Sequence, residues 1–127
     1  PSGETISDIV TKIDHKNLLG LILSCVSPEN YLGNLLELKS LGVPFGFKLN
    51  AFETTKPKDG YTNTYNTSKT GNPNEFLGQR KDLTPKKMGI FAKKFKAAGA
   101  TILGGCCETR PAHIKEFFKL KKILKTI

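Results

Sequence analysis

Three short apolar runs dominate the pattern of hydrophobic and polar positions along the chain. They cover residues 19–25, 43–52 and 100–107 and are rich in Ile, Leu, Val and Phe. Their apolar character is nearly continuous, whereas a strand with one solvated face alternates apolar and polar residues. We therefore predict that each run is a buried strand of a parallel sheet.

Amphipathic segments lie before, between and after these runs, with apolar residues at helical spacing. Three of them start with a capping residue followed by a proline, which is typical of helix N-termini: Ser27 with Pro28, Thr84 with Pro85, and Thr109 or Arg110 with Pro111. The first is predicted to continue as one helix to Gly42. We expect several apolar residues of these helices to face the core: Ile6, Ile9, Val10, Ile13, Phe91, Phe95, Phe117 and Phe118.

The alternation of helices and strands predicts an α/β fold with right-handed crossovers. About three parallel strands with flanking helices cannot close into a barrel. A complete (β/α)8 barrel takes about 250 residues, whereas this chain has 127. We therefore expect residues 1–127 to form one domain that is part of a (β/α)8 TIM barrel.

The segment from Glu53 to Leu83 is polar and rich in Asn, Thr, Gly and Lys. It is much longer than the usual strand-to-helix loop of about two to six residues. It follows the carboxyl end of the second predicted strand, where parallel α/β proteins bind ligands. Two interpretations stay open, a disordered surface insertion and a lid over a site, and we favour the lid.

Composition and charge argue against several classes of protein. No apolar run approaches the ~20 residues that span a bilayer. The first ten residues, PSGETISDIV, lack the basic and apolar blocks of a signal peptide, so we expect a cytoplasmic protein. The net charge is +9, but the lysines of KKFK and KLKKILK alternate with apolar residues, as on a solvated helix face. We expect neither nucleic acid nor a membrane as a partner.

The three cysteines are an odd number, which favours a metal or reactive site over a disulfide framework in a reducing compartment. Cys25 ends the first apolar run, and Cys106 and Cys107 end the third, so all three belong to the carboxyl edge of the sheet. Asn50 ends the second strand at the same edge. The pair Gly104–Gly105 is expected to let the backbone turn and to leave room for the site.

Three thiolates with an open fourth position make a catalytic zinc site. Because the thiolates surround the metal with negative charge, such a site activates water poorly and suits a substrate thiol, which the metal keeps deprotonated. The predicted chemistry is alkyl transfer to sulfur. Three alternatives stay open: the cysteines are buried apolar residues, the chain is a non-catalytic metal-binding or interaction module, or it is a thiol-redox protein using Cys106 and Cys107.

Other polar residues near the sheet edge carry less specific signals. Asn50 is either a substrate-binding residue or a capping residue at a strand end. We expect His113, in the first turn of the last helix, to be structural. The Glu53 carboxylate is expected to face solvent.

Three segments of the chain resemble one known family. GGCCETRPAHI resembles the Gly-Gly-Cys-Cys-x-Thr-x-Pro-x-His-Ile signature of the zinc-dependent homocysteine S-methyltransferase family. SCVSPE resembles the segment with that family's first zinc cysteine, and PFGFKLNAF resembles its strand seven, whose terminal Asn lies near the metal. The likeness runs from about residue 3 to residue 122 and implies helix five to helix eight of the family's barrel.

The resemblance implies that Cys25, Cys106 and Cys107 bind Zn²⁺ and that a methyl donor methylates the thiol of homocysteine, giving methionine. The chain departs from the family's pattern at Ser24, where Asn is usual, and at Glu108, where a small residue is more usual. The segment that corresponds to strands one to five is absent, and in the family it holds homocysteine and much of the donor site. We therefore expect the chain to be inactive alone and to associate with a second copy or with the N-terminal part of the barrel.

Overall fold

A computed structural model describes residues 3–13, 15–54 and 77–121 of the chain. Its regular elements, in chain order, are α1 Ile6–Thr11, a 3₁₀ turn His15–Asn17, β1 Leu21–Val26, α2 Pro28–Gly33, α3 Leu35–Ser40, β2 Phe45–Leu49, α4 Pro85–Ala97, β3 Ile102–Gly105 and α5 Pro111–Phe118. The three predicted strands are present and are shorter than the apolar runs that contain them.

The three strands form one parallel sheet in the order β1-β2-β3. In the shared register, Phe47 of the central strand lies between Leu23 and Leu103. Helices connect and flank the strands, so the predicted α/β fold with a parallel sheet is confirmed. Closure into a (β/α)8 barrel stays a prediction, because the described residues form an open three-stranded sheet.

The helix starts follow the sequence signals. Ser27 caps α2 by accepting a hydrogen bond from the backbone N–H of Asn30 at 3.2 Å, and Thr84 caps α4 by accepting one from the N–H of Lys87 at 3.3 Å. Both helices have a proline in the first turn, where its missing N–H costs no helical hydrogen bond. These two predictions are confirmed.

The prediction of one helix from Ser27 to Gly42 is wrong, because the structure has two helices that meet at Asn34. The Nδ2 of Asn34 donates to the carbonyl of Asn30 at 2.8 Å, so the side chain competes with the backbone for a helical acceptor. The preceding residue is Gly33, which has a low helix propensity. These two residues divide the segment into α2 and α3.

The core lies between the helices and one face of the sheet. Phe47 is at its centre and makes edge-on ring contacts with Tyr31, Phe95 and Phe117, with centroid distances of 5.2, 5.6 and 5.8 Å. Leu38 is also fully buried in this cluster. Such aromatic pairs add about 0.5–1.5 kcal/mol each to the stabilisation from burial.

Three apolar residues that were predicted to face the core are exposed. Phe118 is 70% exposed, because adjacent residues of a helix point about 100° apart and Phe117 takes the inward position. On α1 the buried residue is Val10, whereas Ile9 is 49% exposed. Ile13 lies beyond the end of that helix and is also exposed.

The two ends of the long polar segment pair with each other. The N–H of Glu53 donates to the carbonyl of Gly78, and Phe52 forms an antiparallel bridge with Gln79. The N–H of Arg80 donates to the carbonyl of Ala51 at 2.8 Å. The predicted lid over residues 53–83 lies mostly outside the described residues, since residues 55–76 are not among them.

Arg80 joins this segment to the start of α2. Its guanidinium binds the Glu29 carboxylate through two hydrogen bonds of 2.8 and 2.9 Å and also binds Asp82, which accepts a further bond from Lys87. Hydrogen bonds from Arg80 lower the pKa of Glu29, and those from Arg80 and Lys87 lower the pKa of Asp82. The same interactions raise the pKa of Arg80.

Candidate metal centre

A bulge at the end of β1 sets the position of Cys25. Ser24 pairs with Lys48 and Val26 pairs with Leu49, so Cys25 is an extra residue in the ladder. In a regular strand Cys25 would share the core-facing side of Leu23, because side chains alternate. Its φ of 53° lies in the left-handed region, which costs a non-glycine residue about 1–2 kcal/mol. The bulge turns the thiol away from the helices and toward the end of the sheet.

The other two cysteines follow directly after β3. The N–H of Cys106 donates to the carbonyl of Leu49 at 2.7 Å, which continues the pairing with β2 for one more residue. Cys107 and Glu108 then form a turn, with Glu108 at a φ of 60°. The hydroxyl of Thr109 donates to the Cys106 carbonyl and closes the turn. The adjacent cysteines therefore converge because the strand has ended, as predicted.

The glycine pair before the cysteines has one of its two predicted roles. Gly104 and Gly105 belong to β3 and neither has a positive φ, so they do not make the turn, which comes later in the chain. A Cβ at Gly105 would clash with the Thr109 hydroxyl oxygen, and a Cβ at Gly104 would lie 3.3 Å from Cγ of Lys48. The glycines therefore leave room for these two side chains next to the cysteine-bearing segment.

The three sulfur atoms lie together. The Sγ of Cys107 is 3.7 Å from that of Cys25 and 3.8 Å from that of Cys106, and all three atoms lie within 4.8 Å of one another. A tetrahedral zinc ion with Zn–S bonds of about 2.3 Å has sulfur–sulfur edges of about 3.8 Å. The two separations from Cys107 match these edges and the third is at most 4.8 Å, so the cluster suits a zinc ion. The predicted convergence of these residues is confirmed, and their role as metal ligands stays a prediction.

The proximity of the thiols changes how readily they ionise. The pKa of Cys107 is raised to about 12, chiefly by desolvation on burial and also by the hydrogen bonds and charges of Cys25 and Cys106. Desolvation is also the largest single influence on Cys106, but hydrogen bonds with Cys25 and Cys107 and the charge of Lys48 outweigh it, so its pKa is lowered. Three thiolates at this spacing repel one another, and a divalent cation would remove that repulsion.

Asn50 is fully buried beside Cys25. Its Nδ2 donates to the Cys25 carbonyl at 2.6 Å and approaches the Cys25 Sγ at 3.6 Å, while its Oδ1 accepts from the N–H of Phe52 at 3.3 Å. The backbone N–H of Asn50 donates to the Val26 carbonyl at 2.9 Å. Asn50 therefore holds the bulge that presents Cys25, and the prediction that it binds substrate is not tested by these contacts.

The remaining predicted residues lie around the thiols. His113 is buried, accepts through Nδ1 from the N–H of Arg110 at 2.9 Å and donates through Nε2 to the Leu83 carbonyl, so its predicted structural role is confirmed. Glu53 is exposed, as predicted. The Glu108 carboxylate pairs with Arg110 at 3.3 Å, so a guanidinium lies beside its negative charge.

The sequence interpretation missed Lys48. It is the one charged residue inside the three strands that the structure describes, and it lies in the central strand. A charged residue within an otherwise apolar run is the signal that could have identified it.

The fold and the site define a parallel α/β protein with three clustered thiols at the carboxyl ends of its strands. Residues 1–120 match the family described as Homocysteine S-methyltransferase, and the chain belongs to that family. It is similar to Homocysteine S-methyltransferase 1 of Zea mays, with 25% identity over 126 residues. The match covers 95% of this chain and 33% of the relative, so the chain spans about a third of that protein's length.

No helix among the described residues has both the length and the apolar character needed to cross a bilayer.

Proposed function

We propose that this chain provides the zinc site of a homocysteine S-methyltransferase. The whole protein would transfer a methyl group from a donor to the thiol of homocysteine, giving methionine. The observation that carries the proposal is the convergence of the Cys25, Cys106 and Cys107 sulfurs at tetrahedral spacing. Family membership supports the substrate and the reaction class.

The three sulfur ligands of the proposed zinc site explain why a thiol is the substrate. A zinc ion bound by these three thiols supplies a Lewis acid that takes the place of the proton on the substrate sulfur at neutral pH. The three sulfur ligands donate strongly, so the substrate sulfur keeps its nucleophilicity. Water in the same position would be only weakly activated, which favours alkyl transfer over hydrolysis.

The methyl transfer forms one bond and breaks one bond. A lone pair of the homocysteine sulfur forms a bond to the methyl carbon, and the bond between that carbon and the donor atom breaks. Its electron pair leaves with the donor, while the former thiol proton goes to solvent. Cys25, Cys106 and Cys107 would hold the zinc ion that binds the reacting sulfur, and Asn50 holds Cys25 or contacts the substrate beside it.

The described residues supply one side of an active site. Ile22, Ser24 and Lys48 are exposed on the sheet face opposite the aromatic core, which no helix covers in the described part of the chain. We infer that the N-terminal part of a barrel, or a second copy of the chain, covers this face and completes the sites for homocysteine and the methyl donor. The free thiols are best kept in a reducing compartment such as the cytoplasm.

A second candidate is a metal-binding module without catalysis. It requires the same convergence of the three thiols and no site for a methyl donor. Both candidates need the metal, whereas the thiol-redox alternative does not.

The experiment measures zinc and methionine separately. The 127-residue chain, purified under reducing conditions, should bind one zinc ion per chain in a competition titration with a chromophoric chelator, and Cys25→Ser, Cys106→Ser and Cys107→Ser should each weaken binding strongly. Ser24→Ala, next to Cys25 but without a thiol, is the matched control. If the cysteine variants bind zinc as the parent does, the zinc site is wrong.

Methionine formation then separates the two metal-dependent candidates. The chain supplied with the family's upstream segment, as one polypeptide or as a separate chain, should convert homocysteine and a methyl donor into methionine. Loss of this activity in Cys106→Ser supports the enzyme. Zinc binding without methionine formation from betaine, sulfonium or folate donors supports the non-catalytic module.

A further inference from the structure

Lys48 is unusual for its position in the fold. Strands of parallel α/β sheets are normally apolar, because both faces are covered. Lys48 is nevertheless the fourth residue of the central strand β2, between the buried Phe47 and Leu49. Its side chain is exposed and lies on the sheet face opposite the aromatic core. A lysine at this position needs an explanation other than core packing.

The strand register places Lys48 next to both segments that carry the cysteines. It pairs with Ser24, which precedes Cys25, and with Gly104, which lies two residues before Cys106. A Cβ at Gly104 would lie 3.3 Å from the Lys48 Cγ, so the lysine side chain lies beside the backbone of that strand.

Among the described residues, Lys48 takes part in no ion pair. The five ion pairs of the described part involve Arg80, Lys87, Arg110 and Lys119 as cations. The acidic residue closest in sequence to the cysteines, Glu108, is paired with Arg110. The Lys48 ammonium therefore has no carboxylate partner in the described part of the chain, and the strand register places it beside the segments that carry the thiols.

The charge of the proposed centre explains this placement. Three thiolates and a divalent zinc ion have a net charge of −1, and an anionic sulfur ligand at the fourth position makes it −2. Accumulated negative charge in a partly buried site is costly unless a cation lies nearby. A neutral fourth ligand adds no charge and needs no such cation.

We propose that Lys48 is the counter-charge of the metal centre and favours an anionic sulfur ligand over a neutral ligand at its fourth position. The inference rests on the proposed zinc site. In this proposal Lys48 is a positioning residue. It acts through its electric field and touches neither the metal nor the methyl donor.

The test uses the full 127-residue chain loaded with Co²⁺, whose ligand-field and sulfur-to-cobalt absorption bands report the ligands directly. Two probes are titrated: 2-mercaptoethanol, which binds as a thiolate and has no other charge, and imidazole, which binds as a neutral ligand. Lys48→Met and Lys48→Gln remove the charge, and Lys48→Arg keeps it. Lys93→Met on α4 removes the same charge from an exposed helix position and is the matched control.

Lys48→Met and Lys48→Gln should each weaken 2-mercaptoethanol binding about threefold to tenfold, because an exposed ammonium acts through a partly solvated path. Imidazole affinity should stay the same, and Lys48→Arg and Lys93→Met should match the parent chain with both probes. If the Lys48 variants lose affinity equally for both probes, or lose no affinity for 2-mercaptoethanol, the inference is overturned. Homocysteine is titrated in parallel, and weaker homocysteine binding with unchanged 2-mercaptoethanol binding also overturns the inference, because Lys48 would then contact the substrate carboxylate.

The same titration tests the proposed three-thiol site independently of the role of Lys48. If the parent chain binds Co²⁺ without sulfur-to-cobalt bands, the three-thiol site itself is wrong. If those bands appear and 2-mercaptoethanol binds, the site stands whatever the Lys48 variants do.

Discussion

Replacing Asn50 by Ala tests whether one buried amide holds the metal site together. The substitution removes the 2.6 Å bond from Nδ2 to the Cys25 carbonyl and the 3.3 Å bond from the Phe52 N–H to Oδ1. Both partners then lose a hydrogen bond, and Cys25 loses the contact that helps offset its left-handed backbone conformation.

The expected loss of stability follows from these contacts. A buried polar group left unsatisfied costs about 1–3 kcal/mol. Two such groups with partial access to water predict a decrease of about 2–4 kcal/mol in the free energy of unfolding. Because the bulge presents Cys25 to the other two thiols, zinc affinity should fall about 10-fold to 100-fold, as for other residues that orient metal ligands.

Urea denaturation of the metal-free, reduced chain measures the free energy of unfolding, and a chelator competition titration measures the zinc affinity. Asn34→Ala is the matched control, because it removes a hydrogen bond on the exposed side of α2, and it should cost about 0.5 kcal/mol or less. Asn50→Ala with a loss below about 1 kcal/mol and unchanged zinc affinity would refute the argument that Asn50 holds the bulge.

Two further predictions concern the pH dependence of stability. The pairing with Arg80 lowers the pKa of Glu29, so this ion pair stabilises the fold above a pH of about 4.5. The stabilisation is lost as the pH falls through the pKa of Glu29 in the folded state. Arg80→Met should therefore lose less stability than the parent chain on acidification. Burial raises the pKa of Tyr31 to about 12, so stability should decline as the pH rises from 10 to 12. Tyr31→Phe should make this decline smaller, while the part that comes from the raised pKa of Cys107 should remain. The Tyr31 hydroxyl is buried with no hydrogen-bond partner among the described residues, so Tyr31→Phe should be as stable as the parent at pH 7 or about 1 kcal/mol more stable. Urea denaturation across the pH range checks both, and a Tyr31→Phe variant that is less stable at pH 7 or shows the parent's full alkaline decline contradicts the second.

The sequence alone was sufficient where the physical cause is local. The apolar runs predicted the three parallel strands, and the Ser27 and Thr84 caps predicted the starts of two helices, because both signals depend on residues within one or two turns. The cysteines could be assigned to one edge of the sheet for the same reason, since the carboxyl ends of parallel strands meet there.

Other features depended on residues that are distant in sequence. Phe118 was predicted to face the core, but which of two adjacent phenylalanines is buried depends on how α5 packs against the sheet. The division of one predicted helix into two has a local cause instead, because the Asn34 side chain donates to the Asn30 carbonyl four residues earlier and competes with the backbone bond of an unbroken helix.

The geometry of the candidate site was decided by the tertiary structure. The strand register sets Lys48 between the two cysteine-bearing segments, and the bulge at Cys25 brings its thiol to 3.7 Å from that of Cys107. Both depend on pairing between strands that are separated by a helix or by the long polar segment, so no local pattern encodes them. The sequence by itself determined which residue types stand at the end of each strand. Only the packed sheet, with Asn50 bonded to Cys25, determined that three sulfur atoms lie at the spacing of one metal ion.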